Sequence, residues 1–260
     1  MRTAYFAHDA EYQRRRAAGH AGWDTPEQAA DTIALFEEAL TLGKLGIPGQ
    51  GRQLMEFGCG AGNLLLHFAN NGWQVAGVDI SPFAINWAKE KLAAANITAD
   101  LIVADITHDL PRPSPTADVV LDGHCLHCLI GTDRATFFSN ARKILKPNGS
   151  LVIHTMCGDP PHSLGKLTWD PTTRCHMYND IATRYLGTPE SLTAEVITAG
   201  FHISFSKLTP ARDSNDCDSL TIVACMPEKT ERWRNPRRKR SLTVASRIVT
   251  PEPPPGMPVA

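Results

Sequence analysis

Residues 54–63 constrain the fold of this chain more than any other stretch. An apolar run carries an acid near its end, Glu56, and three glycines follow at alternate positions, Gly58, Gly60 and Gly62. The apolar run suits a buried parallel strand, and glycines let a backbone approach a ligand closely. Apolar residues at helical spacing follow over 63–70. The stretch therefore predicts a strand, a nucleotide-binding turn and a helix, in that order.

Strand and helix patterns alternate along the rest of the chain. Strands are predicted at 52–57, 74–79, 99–104, 118–121, 150–155, 201–207 and 220–225, and helices at 25–42, 61–70, 82–94, 133–145 and 189–199. This alternation implies a mostly parallel sheet with helices on both faces. We therefore predict an α/β fold built on a Rossmann-like, doubly wound sheet of these seven strands.

The order of acids and glycines distinguishes two classes of nucleotide-binding turn. Dinucleotide-binding turns have the pattern G-x-G-x-x-G, whereas this chain has G-x-G-x-G preceded by Glu56. The charge of Glu56 suits an ammonium group better than a pyrophosphate. Asp79 ends the next apolar strand, where such folds place a carboxylate on ribose hydroxyls. Over residues 52–226 this block resembles the class I S-adenosylmethionine-dependent methyltransferases, whose fold closes with an antiparallel last strand.

The resemblance implies S-adenosyl-L-methionine as cofactor and a role for each matching residue. Glu56 is expected to accept from the cofactor ammonium, Asp79 from the ribose hydroxyls and Asp105 from the adenine amine. The residues expected to bind the cofactor are Trp23, Glu56, Gly58, Gly60, Gly62, Asp79, Ile80, Asp105, Ile106 and Asp122. The alternative for each acid is a helix-capping role after its strand.

An amino-terminal segment, residues 12–24, combines an aromatic residue, a basic stretch and a Trp-Asp pair. It resembles the start of small-molecule methyltransferases that act on thiols, halides or related soft nucleophiles, in which this segment closes over the cofactor. Trp23 is therefore expected to be a lid residue. The alternative is a tryptophan that anchors an amino-terminal arm, and the two roles are compatible.

Two histidines and two cysteines follow the fourth strand, at His124, Cys125, His127 and Cys128. Because ligands bind at the carboxyl ends of such strands, His124 and His127 are candidate catalytic general bases. A packing role for His127 is the alternative. Cys125 and Cys128, with Cys157, Cys175 and His176, leave open a soft-metal or metalloid acceptor or thiol chemistry. No zinc-binding cysteine pattern is present in the sequence, and we predict no metal site.

The segment 156–189 is long and irregular, and its apolar residues favour an ordered cap over the acceptor. A cap of this size favours a small-molecule acceptor, with a thiol or other soft nucleophile as our preference. A nucleic-acid base is disfavoured because no Asn-Pro-Pro-aromatic motif follows the fourth strand. Two alternatives stay open: a protein methyltransferase, and a non-catalytic cofactor-binding sensor or partner subunit.

Composition indicates the compartment and the domain organisation. The 260 residues carry 26 basic and 27 acidic side chains, so the whole chain has no bias toward nucleic acid or membranes. Seven cysteines, the lack of an apolar signal core and the lack of a membrane span predict a cytoplasmic protein with reduced thiols. We expect a lid and helix at 1–50, a methyltransferase domain at 51–226 and a basic, Pro-rich disordered tail at 227–260.

Overall fold

A seven-stranded sheet lies at the centre of the computed structural model, which describes residues 1–110, 116–163, 165 and 167–227. The strands of the protein are β1 (Gln53–Phe57), β2 (Gln74–Asp79), β3 (Asp100–Val103), β4 (Ala117–Asp122), β5 (Leu145–Cys157), β6 (Thr168–Asp170), β7 (Cys175–Tyr178), β8 (Ile181–Tyr185), β9 (His202–Thr209) and β10 (Asp218–Cys225). The central sheet has the order β3-β2-β1-β4-β5-β10-β9. β10 is antiparallel to both neighbours, and the other pairs are parallel. The predicted doubly wound sheet with an antiparallel last strand is confirmed.

Helices flank this sheet, and their first residues show why they begin where they do. The helices are α1 (Ala7–Ala17), α2 (Pro26–Leu42), α3 (Asn63–Asn70), α4 (Pro82–Ala94), α5 (Asp133–Ile144) and α6 (Pro189–Thr198). Thr25 closes a capping box on α2, and Ser81 accepts from the third residue of α4. In α2, α4 and α6 a proline stands in the first turn, where its missing N–H costs nothing.

Alternate residues of the inner strands point to opposite faces of the sheet and enter two separate cores. On β1, Met55 and Phe57 join the core beneath α5 and α6, while Leu54 joins the core beneath α2 and α3. Phe57 and Leu54 are both almost completely buried. Burial of each such side chain stabilises the fold by about 1.5–3 kcal/mol. The two cores fix the strand register, and with it the position of the turns at the strand ends.

Two segments differ from the sequence-based prediction. α1 was not predicted, because its residues 7–17 are mostly polar and charged and have little apolar periodicity. The segment 156–189 is not irregular: β6, β7 and β8 form a separate antiparallel sheet within it. These strands are short and half-buried, so they lack the apolar runs that reveal the central strands.

Two expectations concern the tail and the membrane. The predicted tail falls, from residue 228 onward, outside the described residues. Within the described part of the chain, no helix has the length and apolar character needed to cross a bilayer.

Candidate functional site

A cavity of about 720 Å³ lies where β1, β2 and β4 end. Its wall is built by the turns that follow these strands, by the amino-terminal segment and by residues of the small sheet. Open α/β sheets bind their ligands in the crevice outside the carboxyl ends of the strands. The cavity is therefore the candidate functional site.

The glycine turn after β1 forms one part of the wall. Gly58, Gly60 and Gly62 have φ angles of 71°, 49° and 74°, a region that other residues rarely adopt. A Cβ on Gly58 would lie 2.6 Å from the Cβ of Cys125, and a Cβ on Gly60 would overlap the Tyr12 hydroxyl. Gly58 and Gly60 line the cavity, and Gly62 is the N-cap of α3. The turn therefore brings bare backbone to the cavity surface.

Glu56 lies beside this turn and is only 3% exposed. Its side chain lines the cavity, and its Oε2 has no hydrogen-bond partner. Burial, together with the nearby carboxyls of Asp79 and Asp122, raises the pKa of Glu56 well above its usual range. A buried carboxyl without a partner is costly to the fold. A cationic donor such as an ammonium group would satisfy both its charge and its free oxygen.

Asp79 ends β2 and faces the same cavity. Its Oδ2 accepts from the backbone N–H of Gly60 at 2.8 Å, and its Oδ1 accepts from that of Ser81 at 2.8 Å. The Ser81 hydroxyl in turn accepts from Ala84 N at 2.9 Å and so caps α4. The capping role therefore belongs to Ser81. Asp79 fixes the glycine turn and keeps lone pairs free toward the cavity.

Asp105 closes a turn after β3 and lines the cavity, and in the described part of the chain no helix begins there for it to cap. Its Oδ1 accepts from the backbone N–H of Thr107 at 2.9 Å and from the Thr107 hydroxyl at 2.7 Å, which closes a turn after β3. Asp105 also lines the cavity, together with Ile80 and Ile106. These three residues form the wall near the ends of β2 and β3.

Asp122, at the end of β4, is fully buried. Its Oδ1 accepts from the backbone N–H groups of Cys125 at 2.8 Å and Leu126 at 2.9 Å, and burial raises its pKa to about 6. It is absent from the described residues that line the cavity. Asp122 therefore lies behind the residues that line the cavity, whereas the sequence analysis expected it to contact the cofactor. Asp122 instead holds the turn that carries His124 and Cys125.

The amino-terminal segment covers the glycine turn. Asp9 of α1 accepts from the Ser81 hydroxyl at 2.7 Å and from Phe83 N at 2.9 Å, which ties α1 to the start of α4. Trp23 packs edge-on against Tyr12, with ring centroids 5.4 Å apart, and both side chains line the cavity. Trp23 therefore anchors the segment and forms part of the cavity wall, and its expected role as a lid over the cofactor stays a prediction.

Four histidines form another part of the cavity wall, at His124, His127, His154 and His176. His124 has a φ of 62°, a strained backbone conformation of the kind that clusters at functional sites. Burial lowers the pKa of His124 well below its usual range and lowers those of His154 and His176 to about 4. Three of these imidazoles are therefore neutral at neutral pH.

Several nitrogens of these imidazoles are buried and have no partner. They are Nε2 of His124, Nδ1 of His127 and both ring nitrogens of His176. A neutral imidazole carries one donor and one acceptor. His124 and His176 can therefore hydrogen-bond a polar ligand without adding a charge of their own beside it.

All seven cysteines are free, and two of them, Cys125 and Cys128, line the histidine wall. Burial raises the pKa of Cys125 well above its usual range. Cys128 differs, because its contacts with His127, His8 and Arg184 outweigh burial and lower its pKa well below that range. Among the described residues, no group of three or more His, Cys, Asp or Glu side chains is arranged to hold a metal ion.

Residues 55–153 match a protein family described as a methyltransferase domain. Among curated proteins, the chain is 30% identical over 128 residues to an S-adenosyl-L-methionine-dependent Diels-Alderase of Talaromyces variabilis, covering 47% of this chain and 41% of that protein. It is 29% identical over 161 residues to a ubiquinone biosynthesis O-methyltransferase of Alkalilimnicola ehrlichii, covering 59% and 62%. The chain thus spans about half the length of the curated relatives it matches.

A solved structure of similar fold is 1,6-didemethyltoxoflavin-N1-methyltransferase of Burkholderia thailandensis, with bound S-adenosylhomocysteine. The TM-score is 0.62 at 19% identity, and the match covers 85% of this chain and 86% of that one. The [4+2]-cyclase SpnF matches with a TM-score of 0.60 at 18% identity, covering 75% and 82%. At such identities the likeness shows the fold.

Residues 55–153 carry a methyltransferase domain, and the chain has the fold of the class I S-adenosylmethionine-dependent methyltransferases. The family match over 55–153 contains the glycine turn, Glu56, Asp79 and the turn after β4. The resemblance inferred from the sequence is therefore confirmed at the level of the family. The finer likeness of the amino-terminal segment to thiol and halide enzymes stays a prediction.

Within this methyltransferase fold, two cavity residues were not expected from the sequence. His8 lies on α1 and Arg184 on β8, elements that the sequence did not reveal. A single histidine in a polar helix and a single arginine in a loop-like segment carry no motif. Tyr12 had a weak signal, since it is the aromatic residue that begins the basic stretch.

Proposed function

We propose that this protein transfers the methyl group of S-adenosylmethionine to a small-molecule nucleophile. The observation that carries the proposal is Glu56, a buried carboxyl with a free oxygen beside a glycine turn that exposes backbone. The ammonium group in the methionine portion of the cofactor would donate a hydrogen bond to that free oxygen. The glycine turn fits as well, because Gly58 and Gly60 bring backbone without side chains to the cavity surface.

The other cofactor-facing residues follow from their positions in the wall. Each Asp79 oxygen already accepts one backbone N–H and has a further lone pair for a ribose hydroxyl. Ile80, Asp105 and Ile106 line the cavity beyond Asp79, where an adenine ring would lie. Trp23 closes the cavity from the amino-terminal side, in the proposed lid. When bound, the cofactor supplies a methyl group on a sulfonium sulfur, which leaves by in-line displacement.

The acceptor is proposed to be a thiol or another soft nucleophile. Burial keeps the imidazoles of His124, His154 and His176 neutral, so these three side chains add no charge to the wall around His124. Such a wall suits a polarisable, neutral acceptor that must lose a proton during transfer. Nε2 of His124 is unpartnered and takes that proton, and the enzyme otherwise holds the acceptor in line.

His127 keeps its role as a second candidate base, although its neighbour Cys128 engages it. Nδ1 of His127 is the nitrogen that is left without a partner. We expect the small sheet and the segment before it to hold the acceptor, as part of the cap at 156–189. We also expect the protein to act in the cytoplasm, where its free cysteines stay reduced.

The test measures release of S-adenosylhomocysteine by the reduced protein against separate panels of thiols, phenols, amines, carboxylates and halides, with and without EDTA. Wild type is compared with His124→Asn and with the control His202→Asn, whose side chain is exposed and off the cavity. We expect release with thiols, loss in His124→Asn, no effect of His202→Asn and no effect of EDTA.

Each other outcome points to a different function. Release with phenols or amines in place of thiols would overturn the soft acceptor and keep the enzyme class. No release by a protein that binds the cofactor in a calorimeter would overturn small-molecule methylation, leaving a protein acceptor or a non-catalytic binding role. Sensitivity to EDTA would revive a metal-dependent acceptor site.

A further inference from the structure

One arginine of the cavity wall has no partner in the part of the chain that the structure describes. Two arginines and no lysine of the described residues line the cavity, Arg184 on β8 and Arg212. Nε of Arg212 donates to Oδ2 of Asp216 at 3.0 Å, so the charge of Arg212 already has a partner. Among the described residues, Arg184 forms no hydrogen bond and no ion pair through its side chain. The half-buried Arg184 therefore brings an unpaired positive charge to the cavity.

The pairing of β7 with β8 determines where Arg184 lies. His176 of β7 and Arg184 of β8 are direct partners in this antiparallel pair, and both residues line the cavity. Side chains of direct partners project from the same face of a sheet, with Cβ atoms about 4.5–5.5 Å apart. The register shifts beside this pair, where Thr183 is the extra residue and its hydroxyl donates to the carbonyl of His176 at 3.1 Å. Bulges of this kind redirect side chains and are common next to active sites.

The imidazole of His176 is the second group of this pair that lacks a partner. It is 3% exposed, and neither of its ring nitrogens has a hydrogen-bond partner. Trp169 packs edge-on against the ring, with ring centroids 5.6 Å apart. Burial, together with the charge of Arg184, lowers the pKa of His176 to about 4, so the ring is neutral at neutral pH and carries one N–H. A ligand that accepts from this N–H would remove the cost of leaving it unpaired.

A carboxylate has the charge and the shape that these two groups require. Its two oxygens accept the parallel N–H groups of a guanidinium and keep further lone pairs for an imidazole N–H. The charge of Arg184 also acts on Cys128, in the turn after β4, and on Cys217, just before β10. A sulfur atom is a weak acceptor and offers a single atom to the planar guanidinium. These cysteines therefore leave the guanidinium free for the paired oxygens of a carboxylate.

We propose that Arg184 and His176 bind a carboxylate group of the methyl acceptor, which makes the acceptor a small thiol acid or a related acid with a soft nucleophile. The inference rests on the proposed function for the nature of the reacting group, whereas the carboxylate site rests on the small sheet. The thiol that reacts beside His124 stays uncharged until transfer, and the carboxylate is a second group of the same molecule. Because Arg184 and His124 line one cavity, Arg184 orients the acceptor and selects for acids.

The test compares thiol acids with their uncharged amides, using the reduced protein at pH 7.5. The acids are mercaptoacetate, 3-mercaptopropionate and 3-mercaptobenzoate, each measured against its primary amide. Release of S-adenosylhomocysteine gives kcat/KM, and calorimetry on the protein loaded with S-adenosylhomocysteine gives Kd without turnover. The variants are Arg184→Gln, Arg184→Lys and the control Lys207→Gln, whose exposed side chain pairs with Glu38 and does not line the cavity.

Wild type should prefer each acid to its amide by about tenfold or more in both kcat/KM and Kd, as expected for charge-assisted hydrogen bonds. Arg184→Gln should lose most of this preference and still bind S-adenosylhomocysteine, which shows that the variant is folded. Arg184→Lys should keep part of the preference, because an ammonium retains the charge but lacks the planar pair of donors. Lys207→Gln should behave like wild type.

Equal values of kcat/KM and Kd for acids and amides in wild type would overturn the carboxylate site and leave methyl transfer to thiols standing. A preference that is as large in Arg184→Gln as in wild type would overturn it as well. So would a methyl ester as the product, because the carboxylate would then be the reacting group. Tighter binding of the acids without turnover, lost in Arg184→Gln, would overturn the proposed transfer to thiols and support the carboxylate site.

Discussion

Replacement of Glu56 by glutamine tests the central assignment of the cofactor site. The amide has nearly the shape of the carboxyl and keeps an acceptor oxygen, but it removes the charge from a position that is 3% exposed. In the free protein that charge faces the carboxyls of Asp79 and Asp122 and has no partner on Oε2. The substitution should therefore change stability and ligand affinity in opposite directions.

The sign of the stability change follows from the raised pKa of Glu56. Its folded pKa lies above its unfolded pKa of about 4.3, so its contribution to the free energy of unfolding falls as the pH rises above that value. The glutamine in Glu56→Gln does not ionise, so the variant lacks this pH-dependent loss of stability. At pH 7.5 the free variant should therefore be more stable than wild type, and it should lose less stability between pH 5 and 7.5.

The affinity should fall, because the ammonium of the cofactor loses a charge-assisted hydrogen bond. Such a bond contributes about 1.5–3 kcal/mol, which corresponds to about 10- to 160-fold in the dissociation constant. S-adenosylmethionine and S-adenosylhomocysteine carry the same ammonium and should be affected alike. Pairing also lowers the pKa of Glu56, so wild type should release protons on binding and the variant should release fewer.

Isothermal titration calorimetry at pH 7.5, in two buffers of different ionisation enthalpy, measures affinity and proton release together. Urea denaturation of the free protein gives stability. The control is Glu38→Gln, a half-exposed acid that pairs with Lys207 and does not line the cavity. If Glu56→Gln binds both ligands as tightly as wild type, the assignment of Glu56 to the ammonium is refuted.

Three further substitutions test the surrounding structure by urea denaturation. Gly60→Ala should lower the free energy of unfolding by about 2–3 kcal/mol, because the residue has a left-handed backbone and its Cβ would overlap Tyr12 of α1. The control Gly131→Ala has a similar φ of 61° but open space around it, and it should cost only about 1 kcal/mol. A histidine whose pKa falls from 6.5 to about 4 on folding stabilises the protein at pH 7 and loses this contribution as the pH falls. Between pH 7 and 5, wild type should therefore lose about 2 kcal/mol more free energy of unfolding than His176→Phe does. An equal loss in the two proteins would contradict this. Arg134→Met removes a guanidinium that is 5% exposed and leaves Glu195, which is 30% exposed, without its partner, so it should cost about 1–3 kcal/mol. The exposed Arg212→Met should cost at most about 1 kcal/mol, and a cost for Arg134→Met no larger than this would contradict the assigned pairing.

The central sheet could be predicted because its signals are local. Residues 53–57 and 74–79 are apolar runs next to glycines, and the structure places β1 and β2 there. Ser81 and Pro82 mark the start of α4 in the sequence itself. The three strands of the small sheet escaped prediction because they are short and only half-buried, so tertiary contacts and not periodicity define them.

The candidate site could be predicted in part. Glu56, Gly58, Gly60, Asp79 and Asp105 were expected at the ligand, and all of them line the cavity. The sequence could not show that Asp122 lies outside the cavity lining, because its hydrogen bonds to the following turn depend on how β4 ends.

The sequence by itself determined the order of the central strands and of helices α2 to α6. It also determined the glycine turn and the acids at the ends of β1 and β2 and after β3, since periodicity and turn chemistry act between neighbours along the chain. Only the tertiary structure decided that Glu56 is left without a partner and that Arg184 lines one cavity with the turn after β4. Burial and pairing arise between residues far apart in the chain. They set the protonation of a side chain, and no local pattern encodes them.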